Sequence, residues 1–511
     1  MLIPLTTSDF IERARLVYGE RIGIVDEAEQ PAGSLGSLSY RAVAEQVRSY
    51  ACALDALGIG FSERVAIVSQ NSARLLLALY GVTAAGRILV PINFRLSLPE
   101  IQHIVEHSGA RIVLVDPELM PTLDGLEGPR KVVLGAESDA LFHNVPGSPV
   151  PWPQDENATA TINYTSGTTA RPKGVQLTHR NLWLNATTFG LHVAATDRDV
   201  YLHTLPTFHC NGWGMPFVLA GLGVPQVVLR TVRGPEILRR IAQHGVTLMC
   251  GAPAVINAVL DAARDWSGPI PGAGRLRVVV AGAPPPTRTI ERIETELGWE
   301  FIQIYGLTET SPLLTVNRGR SEWDCLDSHE RAQKLGRAGA PALGASITVS
   351  ERGEVLARSN VVLEGYWQQP EATAEALDGG WFHTGDGGSL DEEGYLTISD
   401  RKKDVIISGG ENITSIEVED ALFSHPAVAE AAVIGVPDAK WGETVKALIV
   451  LRPGSAASER DLIDHCRTRL AHYKCPTSVE FRSELARTAT GKLQKFKLRA
   501  PYWEGFARKV N

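Results

Sequence analysis

Hydrophobic positions alternate between two spacings over much of the chain. From residue 64, the apolar runs "RVAIV", "ILVPI" and "RIVLV" are separated by the helically spaced segments "SARLLLALYGVTAAG" and "LPEIQHIVEHSG". A second unit begins at "VTLMCG" (246–251), continues through the helical pattern "AVINAVLDAARD" and reaches "RLRVVVAGA" (275–283). Short strands separated by helices predict βαβ units. The pattern predicts an α/β fold whose large N-terminal part has mostly parallel sheets flanked by helices.

The pattern changes near residue 400. A helical segment at 415–424 is followed by the strands "AEAAVIGVP" and "VKALIVL" and by a second helical segment at 458–470. A tail of this length can form a small α+β domain of its own. We therefore expect one domain at 1–400 and a second at 401–511. The charged run "SDRKKD" (399–404) between them is, on its own, either a solvated turn or a hinge.

The composition is typical of a globular protein in a reducing compartment. Of the 511 residues 44% are hydrophobic, and Lys and Arg are scattered in a chain of net charge −8, which disfavours nucleic acid as a partner. The six cysteines form neither a CxxC pair nor a zinc spacing. No signal peptide is visible, and no apolar run reaches the roughly 18 residues of a membrane span. We expect a cytoplasmic monomer or homodimer.

A loop of small and hydroxyl-bearing residues lies at 164–174, "YTSGTTARPKG". Small residues let backbone N–H groups close on an anion, and hydroxyls and a lysine supply further donors, so the loop favours a phosphate ligand. The spacing differs from the Walker loop, which needs Ser or Thr directly after its lysine. Taken alone, the segment is also compatible with an ordinary turn.

Seven motifs, of which this loop is the first, follow one another in a fixed order. The others are "LPTFHCNGW" (205–213), "AGAPPP" (281–286), "YGLTET" (305–310), "WFHTGD" (381–386), "DRKKDVIISGGENI" (400–413) and "RTATGK" (487–492). In this order they resemble the adenylate-forming superfamily of acyl-CoA synthetases, luciferases and peptide-synthetase adenylation domains. The resemblance covers nearly the whole chain.

The resemblance implies a ligase that works in two steps. A carboxylate attacks the α-phosphate of ATP to give an acyl-AMP and pyrophosphate, and the thiol of coenzyme A (CoA) then displaces AMP. The first step brings anions together, so it needs Mg²⁺, cationic side chains and N–H donors around the phosphates. The implied ligands are therefore a small-molecule carboxylic acid, ATP, Mg²⁺ and CoA.

Five of the motifs are expected to bind the nucleotide. In the resemblance Tyr305 stacks on adenine, Thr308 contacts the α-phosphate, and Glu309 binds Mg²⁺, a hard cation that prefers carboxylate oxygen. The residues implied for ATP or AMP binding are Thr165, Ser166, Gly167, Thr168, Thr169, Lys173, Gly282, Ala283, Pro284, Tyr305, Gly306, Thr308, Asp386 and Arg401.

The nucleotide motifs also imply two ribose or phosphate contacts and contain one departure from the family's pattern. Asp386 is similar to the family's acid that accepts hydrogen bonds from both ribose hydroxyls, and Arg401 is the second ribose or phosphate contact. Ala170 departs from the pattern, because relatives commonly have glycine there. A methyl group restricts positive φ, so the mobility of the phosphate loop is affected.

The C-terminal motifs imply a moving domain. Lys492 is expected to bridge the substrate carboxylate and the α-phosphate and so to serve adenylation. Gly409 and Gly410 would line the passage for the pantetheine arm of CoA, where side chains would not fit. The two sets cannot easily face one site together, and in the family the domain rotates about a hinge at the position of Lys403.

The segment "LPTFHCNGWGMP" (205–216) concerns the acid. Amino-acid-activating relatives usually have an aspartate here, and this chain has none, which favours an uncharged acyl tail. His209 is similar to the family's histidine beside the reacting carboxylate, and Trp213 matches an indole gate at the fatty-acyl tunnel of some relatives. We expect a medium- or long-chain fatty acid, with an aromatic or short branched acid as the alternative. Cys210 is expected to be a small apolar neighbour instead of a nucleophile.

Two other kinds of function remain to be compared with CoA ligation. An adenylating enzyme of this type can also transfer the acyl group to a carrier protein or an amine, or to oxygen as in luciferases. A nucleotide-dependent binding module without ligase chemistry is the other alternative. The presence of Lys492, Glu309 and Asp386 favours an enzyme, because a module that only binds nucleotide would not need all three.

Overall fold

A computed structural model describes residues 2–165, 172–282, 285–401, 404–408, 411–438, 440–487 and 493–504. The helices are α1 Ser8–Tyr18, α2 Tyr40–Ala56, α3 Ala73–Ala84, α4 Leu98–Ser108, α5 Ala136–Phe142, α6 His179–His192, α7 Met215–Gly221, α8 Gly234–His244, α9 Pro253–Ala263, α10 Thr287–Arg292, α11 Ser328–Leu335, α12 Pro370–Ala376, α13 Ser415–Phe423, α14 Glu459–Arg467 and α15 Lys495–Trp503. The strands are β1 Ile22–Val25, β2 Ser37–Ser39, β3 Arg64–Val68, β4 Ile88–Ile92, β5 Ala110–Val115, β6 Arg130–Val133, β7 Thr159–Thr165, β8 Lys173–Thr178, β9 Tyr201–His203, β10 Gln226–Val228, β11 Leu248–Gly251, β12 Arg277–Val280, β13 Glu300–Tyr305, β14 Thr315–Arg318, β15 Ala340–Pro341, β16 Ala345–Val349, β17 Glu354–Ser359, β18 Gly365–Tyr366, β19 Phe382–Leu390, β20 Leu396–Arg401, β21 Ile406–Ser408, β22 Glu411–Ile413, β23 Val428–Asp438, β24 Gly442–Leu451 and β25 Ser478–Phe481.

Two large sheets with parallel centres form the main part of the fold. The nine-stranded sheet has the order β15-β14-β13-β12-β11-β9-β10-β1-β2, and its strands from β13 to β1 run parallel. The seven-stranded sheet has the order β18-β8-β7-β4-β3-β5-β6, with the antiparallel strands β8 and β18 at one edge. The predicted α/β class is confirmed, and each of the apolar runs that predicted a strand in the first βαβ units forms one.

Helices fill the space between these two sheets. One core cluster combines Ile67 and Leu89 of the seven-stranded sheet, Val279 and Ile302 of the nine-stranded sheet, and side chains of α2 and α3. Helix α3 is buried from Ala73 to Thr83, which explains why its sequence is almost continuously apolar. Further clusters cover the outer face of each sheet, so both sheets have helices on two sides. Parallel strands need this double cover.

Two smaller sheets follow along the chain. The four-stranded antiparallel sheet β16-β17-β19-β20 ends at Arg401, and the sequence pattern did not predict it. The last sheet joins β21 to β25, with α13 and α14 on one face and α15 on the other. The predicted small α+β unit is thus present from Ile406 onward, whereas the boundary at residue 400 stays a prediction. In the described part of the chain, no helix is long and apolar enough to cross a membrane.

Candidate active site

The carboxyl ends of two neighbouring parallel strands bring together the predicted nucleotide motifs at 281–286 and 305–310. Val280 of β12 is in register with Gln303 of β13, so Gly282 and Tyr305 follow at the same edge of the nine-stranded sheet. Gly282 has a φ of +95° and is exposed, and a β-carbon built on it would meet no atom within 4 Å. The backbone there is therefore open to solvent, and its role in binding adenine stays a prediction. Ala283 and Pro284 lie outside the described residues.

Backbone packing explains the glycine in "YGLTET". A β-carbon on Gly306 would lie 1.5 Å from the carbonyl oxygen of Pro312, so any other residue would displace this turn. The turn is closed by a hydrogen bond from the backbone N–H of Leu314 to the carbonyl oxygen of Tyr305 (3.0 Å). It continues into a 3₁₀ turn, Thr308–Thr310, which contains two further site candidates. The role of Gly306 is therefore to let the chain fold back beside the site.

Tyr305 and the buried Asp386 meet although they are far apart in sequence. The hydroxyl of Tyr305 donates to Oδ2 of Asp386 at 2.9 Å. Asp386 lies on β19, where it is paired with Arg401 at the end of β20. The Arg401 side chain is outside the described part. The residues expected at adenine and at ribose thus form one contact pair.

A tyrosine that the sequence analysis missed contacts both the predicted metal ligand, Glu309, and a predicted phosphate contact, Lys173. The hydroxyl of Tyr366 donates to Oε1 of Glu309 at 3.1 Å, and Nζ of Lys173 lies 4.6 Å from the centroid of its ring. Burial and the negative charge of Glu309 raise the pKa of Tyr366 well above its usual value, so the phenol stays protonated and acts as the donor. A Tyr in "EGYWQQP" gives no local signal of this role.

The remaining phosphate-loop residues can be placed only at the ends of the loop. Thr165 at the end of β7 pairs with Lys173 at the start of β8, so the two ends of the loop meet where these two strands of the seven-stranded sheet are joined. Both side chains are half-buried. The predicted site residues that lie outside the described ones are Ser166, Gly167, Thr168, Thr169, Ala283, Pro284, Lys403, Gly409, Gly410 and Lys492. Ala170, the departure from the glycine pattern, is also outside them.

The acyl segment has an unusual backbone. All five residues from Cys210 to Gly214 have φ between +44° and +77°, a region that residues with a side chain rarely adopt. Asn211 is one of the few residue types that tolerate it, and its buried amide nitrogen donates to Oγ1 of Thr161 (2.9 Å) and Oδ1 of Asn163 (3.2 Å). This buried network was not anticipated from the sequence. It holds the segment in its left-handed turn.

The predicted acyl segment also touches the turn that is predicted to bind the nucleotide. Sγ of Cys210 lies 4.0 Å from the carbonyl oxygen of Thr308. Burial and the nearby Glu309 raise the pKa of the Cys210 thiol, which therefore stays protonated and is a poor nucleophile. Next to it, His209 is half-buried and Trp213 is buried, with 4% of its surface exposed. The predicted acid and nucleotide motifs thus adjoin in space.

A metal ion at this site would have few protein ligands. The described residues contain no group of three or more His, Cys, Asp or Glu that could hold a metal. Mg²⁺ commonly keeps waters and phosphate oxygens and takes only one or two carboxylates from the protein. Glu309 fits that pattern, because it supplies one carboxylate, the kind of ligand that a hard cation prefers.

Comparison with known proteins gives consistent matches over nearly the whole chain. A family model described as AMP-binding enzyme matches residues 12–367, and one described as AMP-binding enzyme C-terminal domain matches residues 417–492. The chain is 36% identical to 2-methylpropanoate–CoA ligase CCL4 of Humulus lupulus, covering 97% of this chain and 95% of that protein. It is 35% identical to 4-hydroxybutyrate–CoA ligase 2 of Metallosphaera sedula, covering 97% and 94%.

A solved structure shares the same fold. The anthranilate CoA ligase AuaEII, in complex with anthranoyl-AMP, aligns with a TM-score of 0.87 and 27% sequence identity, covering 98% of each chain. The resemblance stated from the seven motifs is therefore confirmed by sequence and by structure.

Proposed function

We propose that this chain, which belongs to the AMP-binding enzyme family and is an acid–CoA ligase acting through an acyl adenylate, activates a short or branched carboxylic acid. ATP and CoA are its co-substrates. In the first step a carboxylate oxygen forms a bond to the α-phosphorus and pyrophosphate leaves. In the second, the sulfur of CoA forms a bond to the acyl carbon and AMP leaves. Bound Mg²⁺ would neutralise phosphate charge during the first step.

One contact supports this proposal most directly. The acyl segment and the nucleotide turn meet at Cys210 and Thr308, which is what the attack of an acid on a nucleotide requires. Around it we assign Tyr305 to adenine, Asp386 to ribose, and Glu309 to Mg²⁺. The remaining proposed nucleotide and phosphate contacts are Thr165, Lys173, Gly282, Gly306, Thr308 and Arg401.

The motifs outside the described residues complete the proposal. Lys492 is proposed to bridge the carboxylate and the α-phosphate, where an ammonium lowers their mutual repulsion. Gly409 and Gly410 are proposed to line the CoA passage, and Lys403 to lie at the hinge between the domains. These roles rest on motif order alone.

The acid is proposed to be shorter than the sequence first suggested. Trp213 was expected to gate a tunnel for a medium- or long-chain fatty acid. Two relatives are instead named for the short acids 2-methylpropanoate and 4-hydroxybutyrate. The indole of Trp213 is buried, with 4% of its surface exposed, and we propose that it closes the end of a short acyl pocket. An aromatic acid is the second candidate, since AuaEII is named for anthranilate.

A substrate panel tests the proposed function. Release of AMP and pyrophosphate is measured with ATP and Mg²⁺ for linear acids from acetate to palmitate, branched acids such as 2-methylpropanoate, and benzoates including anthranilate, each with and without CoA. We expect CoA-dependent AMP release to be highest with a short branched acid. A maximum with palmitate would reject the acid class, and the absence of pyrophosphate with every acid would reject the adenylation mechanism.

Two variants accompany the panel. Lys492→Ala is expected to lower the rate of adenylation by about 10²- to 10³-fold. The matched control is Lys497→Ala, which changes an exposed lysine a few positions further along the sequence. Thioester formation from a supplied acyl-AMP should remain in both.

Trp213→Gly, which suits the observed φ of +62°, is expected to shift the preferred acid to a longer chain. An unchanged chain-length profile would mean that the indole does not limit the pocket.

A further inference from the structure

One short segment joins the phosphate loop to the metal-binding turn. We call Leu363–Trp367 the crossing segment. The backbone N–H of its first residue donates to the carbonyl oxygen of Glu309 (2.7 Å), that of its second residue to Gln176 (3.0 Å), and that of its last residue to Gly174 (2.7 Å). It is therefore anchored at one end to the turn and at the other to the strand that leaves the phosphate loop.

The crossing segment can lie there because Gly174 has no side chain. A β-carbon at this position would approach Cγ2 of Ile162 to 2.9 Å, Cζ of Tyr164 to 3.1 Å and Cβ of Trp367 to 3.2 Å. The indole N–H of Trp367 donates to the carbonyl oxygen of His107 (3.1 Å), which fixes the end of the segment on the other side. The backbone on both sides of Tyr366 is thus held by contacts that do not involve its own side chain.

From this fixed backbone, Tyr366 reaches two groups of opposite charge. Its hydroxyl donates to Oε1 of Glu309 at 3.1 Å, and Nζ of Lys173 lies 4.6 Å from the centroid of its ring. A carboxylate only accepts hydrogen bonds. Because Oε1 of Glu309 accepts from the phenol, the contact fixes which of the two carboxylate oxygens faces Tyr366. An ammonium within about 6 Å of an aromatic face is attracted to it and keeps its other donors available.

We infer that Tyr366 is a positioning residue that orients Glu309 toward Mg²⁺ through its hydroxyl and Lys173 toward the phosphates through its ring. This inference rests on the proposed function, because it needs Glu309 to be a metal ligand. Partners that orient a metal-binding carboxylate commonly change metal affinity when they are removed. The two contacts of Tyr366 are separable, since phenylalanine keeps the ring and loses only the hydroxyl.

Binding of Mn²⁺ in place of Mg²⁺ tests the hydroxyl contact without turnover. Electron paramagnetic resonance measures free Mn²⁺ as it is titrated into the full-length enzyme with α,β-methylene-ATP, which cannot be cleaved at the reacting bond. We expect Tyr366→Phe to weaken Mn²⁺ binding about tenfold. Tyr502→Phe is the matched control, because the Tyr502 hydroxyl also donates to a glutamate, Glu480, in the small C-terminal unit. It should bind Mn²⁺ like the wild type.

A Glu309→Gln arm separates failure of the inference from failure of the proposed function. If Glu309→Gln weakens Mn²⁺ binding and Tyr366→Phe does not, the positioning role is wrong and the metal role of Glu309 stands. If Glu309→Gln binds Mn²⁺ like the wild type, the proposed metal role is wrong, and the inference falls with it. Weakening in both variants, with Tyr502→Phe unchanged, supports both.

The ring contact is tested by nucleotide binding without metal. Tyr366→Phe should bind α,β-methylene-ATP in the absence of metal as the wild type does, because the ring beneath Lys173 remains. Tyr366→Leu removes the ring and should weaken this binding about threefold. Equal affinity of the leucine variant and the wild type would overturn the role of the ring. Weakened metal-free binding in the phenylalanine variant would overturn the division of labour between ring and hydroxyl.

Discussion

Burial changes the chemistry of individual residues, and His203 is the clearest example. The imidazole at the end of β9 is completely enclosed, and its Nε2 lies 3.0 Å from Oε1 of Gln226. Burial lowers the pKa of His203 to about 4, from an ordinary value near 6.5. The ring is therefore neutral in the folded protein at physiological pH. It is a structural residue next to the acyl segment.

His203 makes stability depend on pH in a definite direction. Between pH 6.5 and 4 the unfolded chain binds a proton at this residue and the folded chain does not. The neutral His203 therefore contributes fully to the free energy of unfolding above pH 6.5. This contribution declines by at most about 1.4 kcal/mol per pH unit as the pH falls toward 4. We expect His203→Gln to reduce the loss of melting temperature between pH 7 and pH 5. The exposed His472→Gln is the control, and equal losses in wild type and His203→Gln would contradict the assignment.

The same scale shows why residue roles are hard to predict from sequence. Tyr366 lies in none of the seven motifs, and Asn211 lies in one of them without an expected role, yet one contacts Glu309 and the other holds the acyl segment. Gly306 was expected to be a nucleotide contact. The structure shows that a glycine is needed at this position because a β-carbon would collide with the carbonyl oxygen of Pro312. Such roles depend on neighbours that lie elsewhere in the chain.

At the scale of elements, the left-handed turn at 210–214 depends on helix α6. Asn185 on this helix donates from Nδ2 to the carbonyl oxygen of Trp213 (3.1 Å) and accepts at Oδ1 from the backbone N–H of Leu313 (3.1 Å). One buried amide thus joins the acyl segment to the chain that follows the nucleotide turn. A β-carbon at Gly214 would lie 2.4 Å from Nδ2 of this same Asn185. The turn and the helix are therefore packed without spare room.

Substitutions at Asn211 test the energetic cost of this turn. Both Asn211→Ala and Asn211→Gly lose the hydrogen bonds to Thr161 and Asn163, but only alanine also pays for its φ of +52°. We expect alanine to be less stable than glycine by about 1–2 kcal/mol, measured by denaturant unfolding. Both variants should raise the KM for the acid. If alanine is as stable as glycine, the left-handed backbone at this position is wrong.

At the scale of the whole molecule, the small C-terminal unit is docked on the nine-stranded sheet's outer helices. Oδ1 of Asp420 on α13 accepts from the backbone N–H of Thr287 at the start of α10 (2.9 Å). The guanidinium of Arg288 donates to the carbonyl oxygen of Ser424 (3.2 Å). A rotating domain would make these contacts in one orientation and lose them in another.

Asp420→Ala tests whether these contacts select one orientation. Removing a hydrogen bond of ordinary strength should reduce the population of this orientation about fivefold. We expect one half-reaction to slow by up to that factor, either pyrophosphate exchange or thioester formation from acyl-AMP, while the other does not slow. Asp464→Ala on the exposed face of α14 is the control. Equal slowing of both half-reactions would show that the contact does not discriminate between orientations.

The whole-molecule architecture was predictable only in part. The βαβ units were evident because parallel strands buried on both faces leave continuous apolar runs between helices. The antiparallel sheet β16-β17-β19-β20 was missed, since β16 has no fully buried position and β17 buries only Val355 and Ala357, with the apolar Leu356 between them. Weak burial leaves a weak pattern in the sequence.

The sequence by itself determined the α/β class, the order of the motifs and the family, because local periodicity and motif order are properties of the chain alone. Only the tertiary structure decided that Tyr305 meets Asp386, 81 residues away, and that Tyr366 meets Glu309, 57 residues away. It also decided that five consecutive residues adopt positive φ. These features depend on which distant segments pack together, and the packing energy that selects them is shared among many residues with no local signature.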